Sequence, residues 1–506
     1  MKLTNSAQMR EMDSYVIETL NIPGSTLMSN AAEHLAVATL ERLTLGGQVA
    51  VFCGVGNNGG DGIGAAAYLI EKGVPVRVFI IGDMEKLSFD SREMLRRFDL
   101  LGGSSDPFAS SCSLEDYLTS CDVVIDAIFG IGLNYEIHGD ALNAIKLINE
   151  SRAYIISADI SSGVHADTGR VLGEAVRADI TVTFSIPKPG HFVEPGCTYC
   201  GELRVCDIGI PHDIISGAIS PVYAITSDDV ILPHRRKDTH KGDYGRCLLA
   251  AGSIGYTGAP ALSARAASRM GAGLVYLGVP EPIYPIMAAK LDEEMPFPLP
   301  ADKQGRLAAN SAGELIRRAS DCDVLLLGPG LGTSPEITEL VLSIIRLAKT
   351  PIILDADGIN AISGHRDILD MAACPLILTP HPGEYVRLSG DLSSIDRLRS
   401  AREFALTHKC VLVLKGHRTI TALPDGSAYI NTTGSPAMAK GGSGDVLAGM
   451  IAALIAQKFP LKEAVTTAVY LHGLAGDICA SELGEYSVTA SDIIESIPRA
   501  VLRVAK

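Results

Sequence analysis

Asn431-Thr-Thr-Gly-Ser-Pro-Ala-Met-Ala-Lys-Gly-Gly-Ser-Gly-Asp445-Val-Leu-Ala-Gly449 joins a glycine-dense turn, an acid at the turn's end and an apolar helical run from Val446 to Ala456. The first N–H groups of a helix have no partner within it and carry partial positive charge, so such a start attracts phosphate. An acid at that point can accept a proton from a nucleophilic hydroxyl. An anion hole with a base beside it is what phosphoryl transfer to an alcohol requires. The plain alternative is a glycine-rich loop that only turns the chain.

The surroundings repeat one architecture. Cys247–Ala251, Leu274–Gly278, Val324–Gly328, Ile352–Leu354, Leu376–Thr379 and Val411–Leu414 read as strands. Helices follow at about Gly258–Met270, Ile337–Leu347, Ile395–Leu406, Gly444–Ala456 and Leu461–Ala480. Short apolar strands alternating with helices predict a parallel sheet covered on both faces. Glycine- or acid-bearing turns follow the strands: Ala251–Pro260, Gly328-Pro-Gly-Leu-Gly332, Leu354-Asp-Ala-Asp-Gly-Ile-Asn360, Leu378-Thr-Pro-His381-Pro-Gly-Glu384 and Leu414-Lys415-Gly416. No GxxxxGK[ST] occurs, so this is not a P-loop enzyme. Asp355 and Asp357 either cap the helix they precede or touch magnesium. His381, between two prolines, either meets a ligand or hydrogen-bonds its own loop. Lys415 is either a ligand-binding or a surface cation.

The first half of the chain shows the same alternation. Val49–Cys53, Val76–Ile81, Asp122–Asp126 and Tyr154–Ala158 read as strands, with helices at Ile63–Lys72, Ser91–Leu100 and Ala141–Asn149. Two helical segments precede them, at about Ser6–Leu20 and Gly24–Leu43. Polarity becomes mixed across Pro211–Pro233 and the cationic run His234-Arg-Arg-Lys237 follows, which places a boundary near residue 225. Gly54-Val-Gly56-Asn57-Asn58-Gly59-Gly60-Asp61-Gly62 follows a strand and opens a helix. It satisfies GxGxxG, a spacing that lets backbone approach a pyrophosphate, and equally a tight strand–helix turn. Asp83 lies where a ribose-binding acid would. Asn57, Asn58 and Asp61 add hard oxygens that suit a cation. Asp126-Ala-Ile-Phe-Gly130-Ile-Gly132 and Asp159-Ile-Ser-Ser162-Gly163 close two further strands. A lone strand-end Asp is usually a turn former. Three acid-bearing ends beside glycines converge on the crevice where open α/β sheets bind ligands.

Composition narrows the partners. The chain has 506 residues, 47% hydrophobic, with 5% aromatics and no Trp. Length alone suggests about three domains. A net charge of −15 supplies no field to draw nucleic acid or an anionic membrane. The absence of Trp leaves few platforms for stacking bases. No window holds about 18 uninterrupted apolar residues, so no membrane span is expected, and residues 1–10 do not read as a signal peptide. The eleven cysteines are scattered, as reduced cytoplasmic thiols would be. Cys197 and Cys200 form a CxxC without a second knuckle for zinc.

The set Asn57–Asp61, Asp126–Gly132 and Asp159–Gly163 resembles the NAD(P)H-hydrate epimerase domain, with Ser161 where that family usually has Pro. The resemblance implies a Rossmann-like three-layer domain over residues 1–225. It implies potassium at Asn58, Asp126 and Ser162. Substrate is implied on Asn57, Asn58, Gly59, Gly60 and Asp61, on Gly130, Ile131, Gly132, Leu133, Asn134, Tyr135 and Glu136, and on Asp159. A hydrate of NADH or NADPH is a hemiaminal at C6, so epimerisation needs proton traffic that Asp159 can carry.

From about Lys237 onward the chain is similar to the ribokinase-like superfamily, and closely to ADP/ATP-dependent NAD(P)H-hydrate dehydratases. That resemblance implies a second three-layer α/β domain over residues 226–506. It places the hydrate on Ala259, Gly332, His381 and Asp445. It places the nucleotide, usually ADP in bacterial members, on Lys415, Gly416, His417, Arg418 and Thr419 and on Ser435, Gly441, Gly442, Ser443 and Gly444. Asp445 would deprotonate the C6 hydroxyl as it attacks the terminal phosphoryl group, and the ring nitrogen would then expel phosphate. The two resemblances together imply a cytoplasmic two-site metabolite-repair enzyme using ADP and magnesium, with family members suggesting a homo-oligomer. Two rival readings stand: a small-molecule or vitamin kinase, and an N-terminal module that binds nucleotide without catalysis.

Overall fold

The computed structural model describes residues 1–108, 112–217, 220–390 and 396–505. The chain divides into two compact units, one spanning Lys2–Val222 and one running from Tyr223 onward together with Met1.

The first unit is built on seven strands, β1 (Val49–Cys53), β2 (Val76–Ile80), β3 (Ser104–Pro107), β4 (Val123–Ala127), β5 (Tyr154–Ala158), β6 (Ile180–Phe184) and β7 (Glu202–Cys206), in the order β3-β2-β1-β4-β5-β6-β7. Every pairing is parallel. β1 shows why its sequence is apolar throughout. Val49, Val51 and Cys53 pack into one core, with helices Gly24–Leu40 and Asn57–Glu71. Ala50 and Phe52 pack into another, with helix Gly139–Glu150. Burial on both faces removes the polar alternation of a half-solvated strand. Strand order reverses between β1 and β4, so the turns after these two strands flank the crevice at the switch point.

The second unit holds β8 (Val222–Ala224), β9 (Arg246–Ala250), β10 (Leu274–Pro280), β11 (Met295–Leu299), β12 (Val324–Leu327), β13 (Ile352–Leu354), β14 (Leu376–Leu378), β15 (Val411–Leu414), β16 (Ile420–Ala422) and β17 (Ala428–Ile430). Their order is β11-β10-β9-β12-β13-β14-β15-β16-β17-β8. Pairing is parallel from β11 to β15, and β15-β16-β17 continue antiparallel. Helices Gly258–Arg269, Ser443–Ala456, Leu461–Leu483 and Ala490–Val504 share one large core with this sheet.

Both units are three-layer α/β folds, as the alternation of strands and helices predicts. The strands expected from it are present within a residue or two at their ends. Four helices begin two or more residues earlier than expected, at Asn57, Phe89, Gly139 and Pro335. The helix expected from Ile395 runs Arg397–Thr407, and Ile395 lies outside the described residues. The sheets are also wider than the sequence suggested, by β3, β6 and β7 in one unit and by β8, β11, β16 and β17 in the other.

Gly449 sets the approach of two central helices. A Cβ there would lie 2.2 Å from the Ser263 carbonyl oxygen of helix Gly258–Arg269. That contact is with backbone and has no flexible end to yield. Gly449→Ala is therefore expected to destabilise the second unit by about 1–3 kcal/mol through overpacking, read as an earlier urea transition. Unchanged stability would show that the helices separate freely.

Candidate functional sites

In the first unit the turns after β1 and β4, the segment after β5 and the preceding helix Ser6–Glu18 enclose a cleft of about 780 Å³. Asn57, Asn58, Asp61, Gly130, Ile131, Gly132, Leu133, Tyr135 and Asp159 line it. Asn134 and Glu136 are exposed and lie outside the lining, and Gly59 and Gly60 are buried. A Cβ on Gly59 would sit 1.8 Å from the Gly54 carbonyl oxygen. This glycine thus serves the tight strand–helix turn. Asp83 caps a short 3-10 turn by accepting from the Glu85 N–H.

Asp126, next to last in β4, is fully buried. Its carboxylate accepts from the Ser162 N–H (2.9 Å) and hydroxyl (2.6 Å), the Ser157 hydroxyl (2.8 Å) and the Ile128 N–H (3.3 Å). Burial pushes its pKa up, and these hydrogen bonds offset that only in part. Gly130 abuts the Asn58 side chain, whose buried amide nitrogen has no hydrogen-bond partner. The oxygens of Asp126, Ser162 and the Asn58 amide are of the hard kind a cation takes, whereas the unpaired amide nitrogen is a hydrogen-bond donor and no ligand.

Asp159 sits in the left-handed region (φ 62°), and its carboxylate accepts from the buried Lys188 ammonium and from the Thr183 hydroxyl at 3.1 Å. Burial pushes its carboxyl up, but the Lys188 charge and hydrogen bond outweigh this and hold it below its ordinary value. His191 Nε2 reaches the Asp159 carbonyl oxygen at 2.8 Å, and burial followed by the Lys188 charge lowers its pKa to about 4. Asp159 is therefore a fixed carboxylate. Two neighbouring acids are shifted the other way. Burial, then the charges of Asp159 and Asp13, push Asp61 well above its ordinary range. Burial raises Asp13 to about 6 against the pull of Lys188. Lys188, Thr183 and Asp13 were not singled out in the sequence, because each stands alone in its own segment.

In the second unit Gly442 precedes helix Ser443–Ala456 in the left-handed conformation (φ 95°), and Asp445 falls in the first turn. The Lys415 ammonium closes over this turn, 3.1 Å from where a Cβ on Gly444 would be, and donates to Asp355 at 2.8 Å. Burial pulls the Lys415 pKa down, but the charges of Asp355 and Glu384 raise it overall. Asp355 is buried and also accepts from the Thr379 hydroxyl (2.7 Å), so it is an ion-pair partner and not the helix cap that its position suggested. Asp357 accepts from the Gly332 N–H (2.8 Å), tying that glycine into the same region, and from the Asn360 amide (3.2 Å). Burial, then the charge of Asp355, raise Asp445 to about 7 despite the opposing pull of Lys415.

Ala259 starts helix Gly258–Arg269, with its side chain near Gly330. His381 caps helix Pro382–Ser389, its Nδ1 accepting from Gly383 N–H (3.0 Å), and its ring is half exposed. The Ser443 hydroxyl lies 3.3 Å from Nε2 of His472, a buried histidine held neutral with a pKa near 4, chiefly by burial. Ser435 caps its own short turn, the Thr419 hydroxyl donates to Gly416, and Arg418 donates to Thr432. Gly416, His417 and Gly441 are exposed.

Residues 247–499 match the family described as NAD(P)H-hydrate dehydratase, and residues 24–190 match the family described as YjeF-related protein N-terminus. The bifunctional NAD(P)H-hydrate repair enzyme Nnr of Moorella thermoacetica is 39% identical, over 98% of this chain and 96% of its own length. The enzyme of the same name from Thermofilum pendens is 38% identical, over 99% and 96%. The chain belongs to the bifunctional NAD(P)H-hydrate repair enzymes. Among solved structures, the ADP/ATP-dependent NAD(P)H-hydrate dehydratase of Bacillus subtilis, co-crystallised with ATP/Mg2+, is 32% identical, with a TM-score of 0.48. That match covers 56% of this chain and 99% of that one. The glycine turns just described and most of the cleft lining fall within these two stretches. Helix Ser6–Glu18, with Asp13, lies ahead of the first stretch.

Among the described residues no group of three or more His, Cys, Asp or Glu side chains is placed to hold a metal ion, and no helix is long and apolar enough to cross a membrane.

Lys188→Met leaves Asp159 buried and unpaired, and it should cost about 3–5 kcal/mol in chemical denaturation near neutral pH. The loss should shrink as pH falls and the orphaned carboxyl takes up a proton. A variant of wild-type stability at both pH values would show that the pair does not anchor this segment.

Proposed function

We propose that the two units carry the two halves of one repair reaction: the first interconverts the C6 epimers of NADH or NADPH hydrate, and the second dehydrates the S form back to the dihydronicotinamide at the expense of ADP. The observation that carries the dehydratase half is Asp445, raised to about 7 in the first turn of helix Ser443–Ala456, with the Lys415 ammonium alongside.

A base works best with a pKa near the operating pH. Asp445 takes the proton of the C6 hydroxyl as that oxygen attacks the terminal phosphoryl group. The N–H groups of Gly442, Ser443 and Gly444 and the Lys415 charge face the negative charge that develops. Phosphate leaves where hydroxide would not: the ring-nitrogen lone pair expels it, the resulting N1–C6 iminium loses a C5 proton to restore the dihydronicotinamide, and AMP and phosphate are the by-products. Lys415, Gly416, His417, Arg418 and Thr419, with Ser435, Gly441, Gly442, Ser443 and Gly444, form the nucleotide side of this site. Ala259, Gly332, His381 and Asp445 form the hydrate side. Asp355 and Asp357 are already engaged by protein partners, so magnesium is carried mainly by the nucleotide phosphates.

In the first unit Asn57, Asn58, Gly59, Gly60 and Asp61, residues 130–136 and Asp159 form the hydrate site. Asn58, Asp126 and Ser162 would hold potassium, which would supply fixed positive charge beside the substrate's phosphates. Asp159 stays ionised under Lys188 and so serves as a fixed carboxylate that orients the reacting groups. The protein works on small molecules, in the cytoplasm, as a homo-oligomer.

Asp445→Asn should lower dehydration by about 10²–10⁴ with little change in the unfolding transition. In the wild type the base form is the active one, so the rate should fall as pH drops through about 7, and Asp445→Asn should lose that limb. Phosphate release should match dihydronicotinamide recovery one for one. A wild-type rate in the variant, or accumulation of a stable phosphorylated product, would refute the dehydratase assignment.

A further inference from the structure

Three carboxyl groups and one ammonium line the N-terminal cleft within reach of each other's charge: Asp13, Asp61, Asp159 and Lys188. They are not equivalent. Lys188 and Thr183 hold Asp159. Among the described residues no hydrogen bond or ion pair engages the carboxyl of Asp13 or of Asp61. Asp61 comes from helix Asn57–Glu71, inside the stretch matched to the family. Asp13 comes from helix Ser6–Glu18, outside it, and that helix forms a wall of the cleft through Met9, Arg10, Asp13 and Ile17. The Arg10 guanidinium donates to the Ile131 carbonyl at 3.3 Å, tying this wall to the turn after β4.

We propose that Asp13 is a general acid of the epimerase site, delivering its proton to the C6 hydroxyl of the bound hydrate while Asp159 remains a carboxylate. The inference rests on the epimerase reading of the first unit. Two acids in one cleft with environments that push them apart divide the labour of proton donor and fixed anion. The step balances without any other reagent. The Asp13 O–H bond breaks as its proton passes to the C6 oxygen. The C6–O bond breaks, with its electron pair leaving on water, while the ring-nitrogen lone pair forms the N1–C6 double bond. Water then adds to the opposite face of C6, and the proton it sheds returns to the Asp13 carboxylate.

The charged groups surrounding Asp13 set when it holds its proton. Besides Asp61, Asp159 and Lys188, these are Arg10 on its own helix, Asp90 and Asp140 on the cleft walls, and the buried His191 behind Asp159. Burial and Asp159 raise it and Lys188 opposes them, to about 6. An acid acts in its protonated form, so kcat/KM for epimerisation should fall as pH rises above about 6.

The test uses the full chain with a purified single hydrate epimer, its interconversion followed chromatographically without nucleotide. Asp13→Asn should slow interconversion by about 10²–10⁴ and abolish the limb above about pH 6. Asp13→Glu should restore part of the rate. Dehydration by the same preparation, carried by the other unit, should be unchanged and so reports that the chain is folded. Two results overturn the proposal: a wild-type epimerisation rate in Asp13→Asn, or a slowed rate that keeps the wild-type pH limb. A wild-type chain that dehydrates but does not interconvert epimers removes the epimerase reading itself, which is a separate failure visible before any variant is made.

Discussion

Each unit buries carboxylates at the carboxyl ends of parallel strands, and a buried carboxylate must be satisfied from within or stay protonated. Asp126, Asp159 and Asp355 answer this in two ways. Asp126 is satisfied by two hydroxyls and two N–H groups. Asp159 takes Lys188, brought from the segment after β6. Asp355 takes Lys415, from the end of β15. The parallel sheet makes these pairings possible, because it delivers strand ends that are distant in sequence to one edge. Once they are made, the remaining acids at the same edge, Asp61, Asp13 and Asp445, find the local cations already committed, and burial shifts them upward. The structural pairs thus set the proton affinities on which the chemistry draws.

Close packing places the second site as firmly as charge does. Helix Ser443–Ala456 can aim its first turn at a phosphate only if its body is fixed. Every residue from Val446 to Ala456 is buried, and Gly449 lets the helix run against the Ser263 backbone. Val446–Ala456 therefore read in sequence as an apolar run without a polar face, while the acid and glycines ahead of it stay accessible. The His472 ring, neutral behind the Ser443 hydroxyl, completes a support that adds no competing charge.

Much of this was legible from residues alone, and what was not has a common cause. The central strands announced themselves because both faces are buried. β3, with sequence Ser-Ser-Asp-Pro, lies at a sheet edge and needs no apolar pattern. β16 and β17 are three residues each, too short for periodicity to speak, although Asp425-Gly426 between them is a turn signal that could have been used. β6, Ile-Thr-Val-Thr-Phe, carries its signal openly in β-branched and aromatic residues. At the sites, the glycine turns and strand-end acids stood out because their signals are local. Their partners did not: Lys188 is 29 residues from Asp159, and Lys415 is 60 residues from Asp355. Asp355 therefore resembled a helix cap until its pairing was seen. Asp13 was silent for the same reason, as a single acid on an amphipathic helix ordinarily faces solvent.

Two complementary reactions in one chain are the central requirement. The most direct measurement is incubation of the intact protein with both epimers of NADH hydrate and with ADP, following dihydronicotinamide absorbance to completion. Recovery of the whole hydrate pool is expected, with AMP and phosphate formed in step. Recovery that halts once one epimer is consumed, or no recovery with ADP, would contradict it.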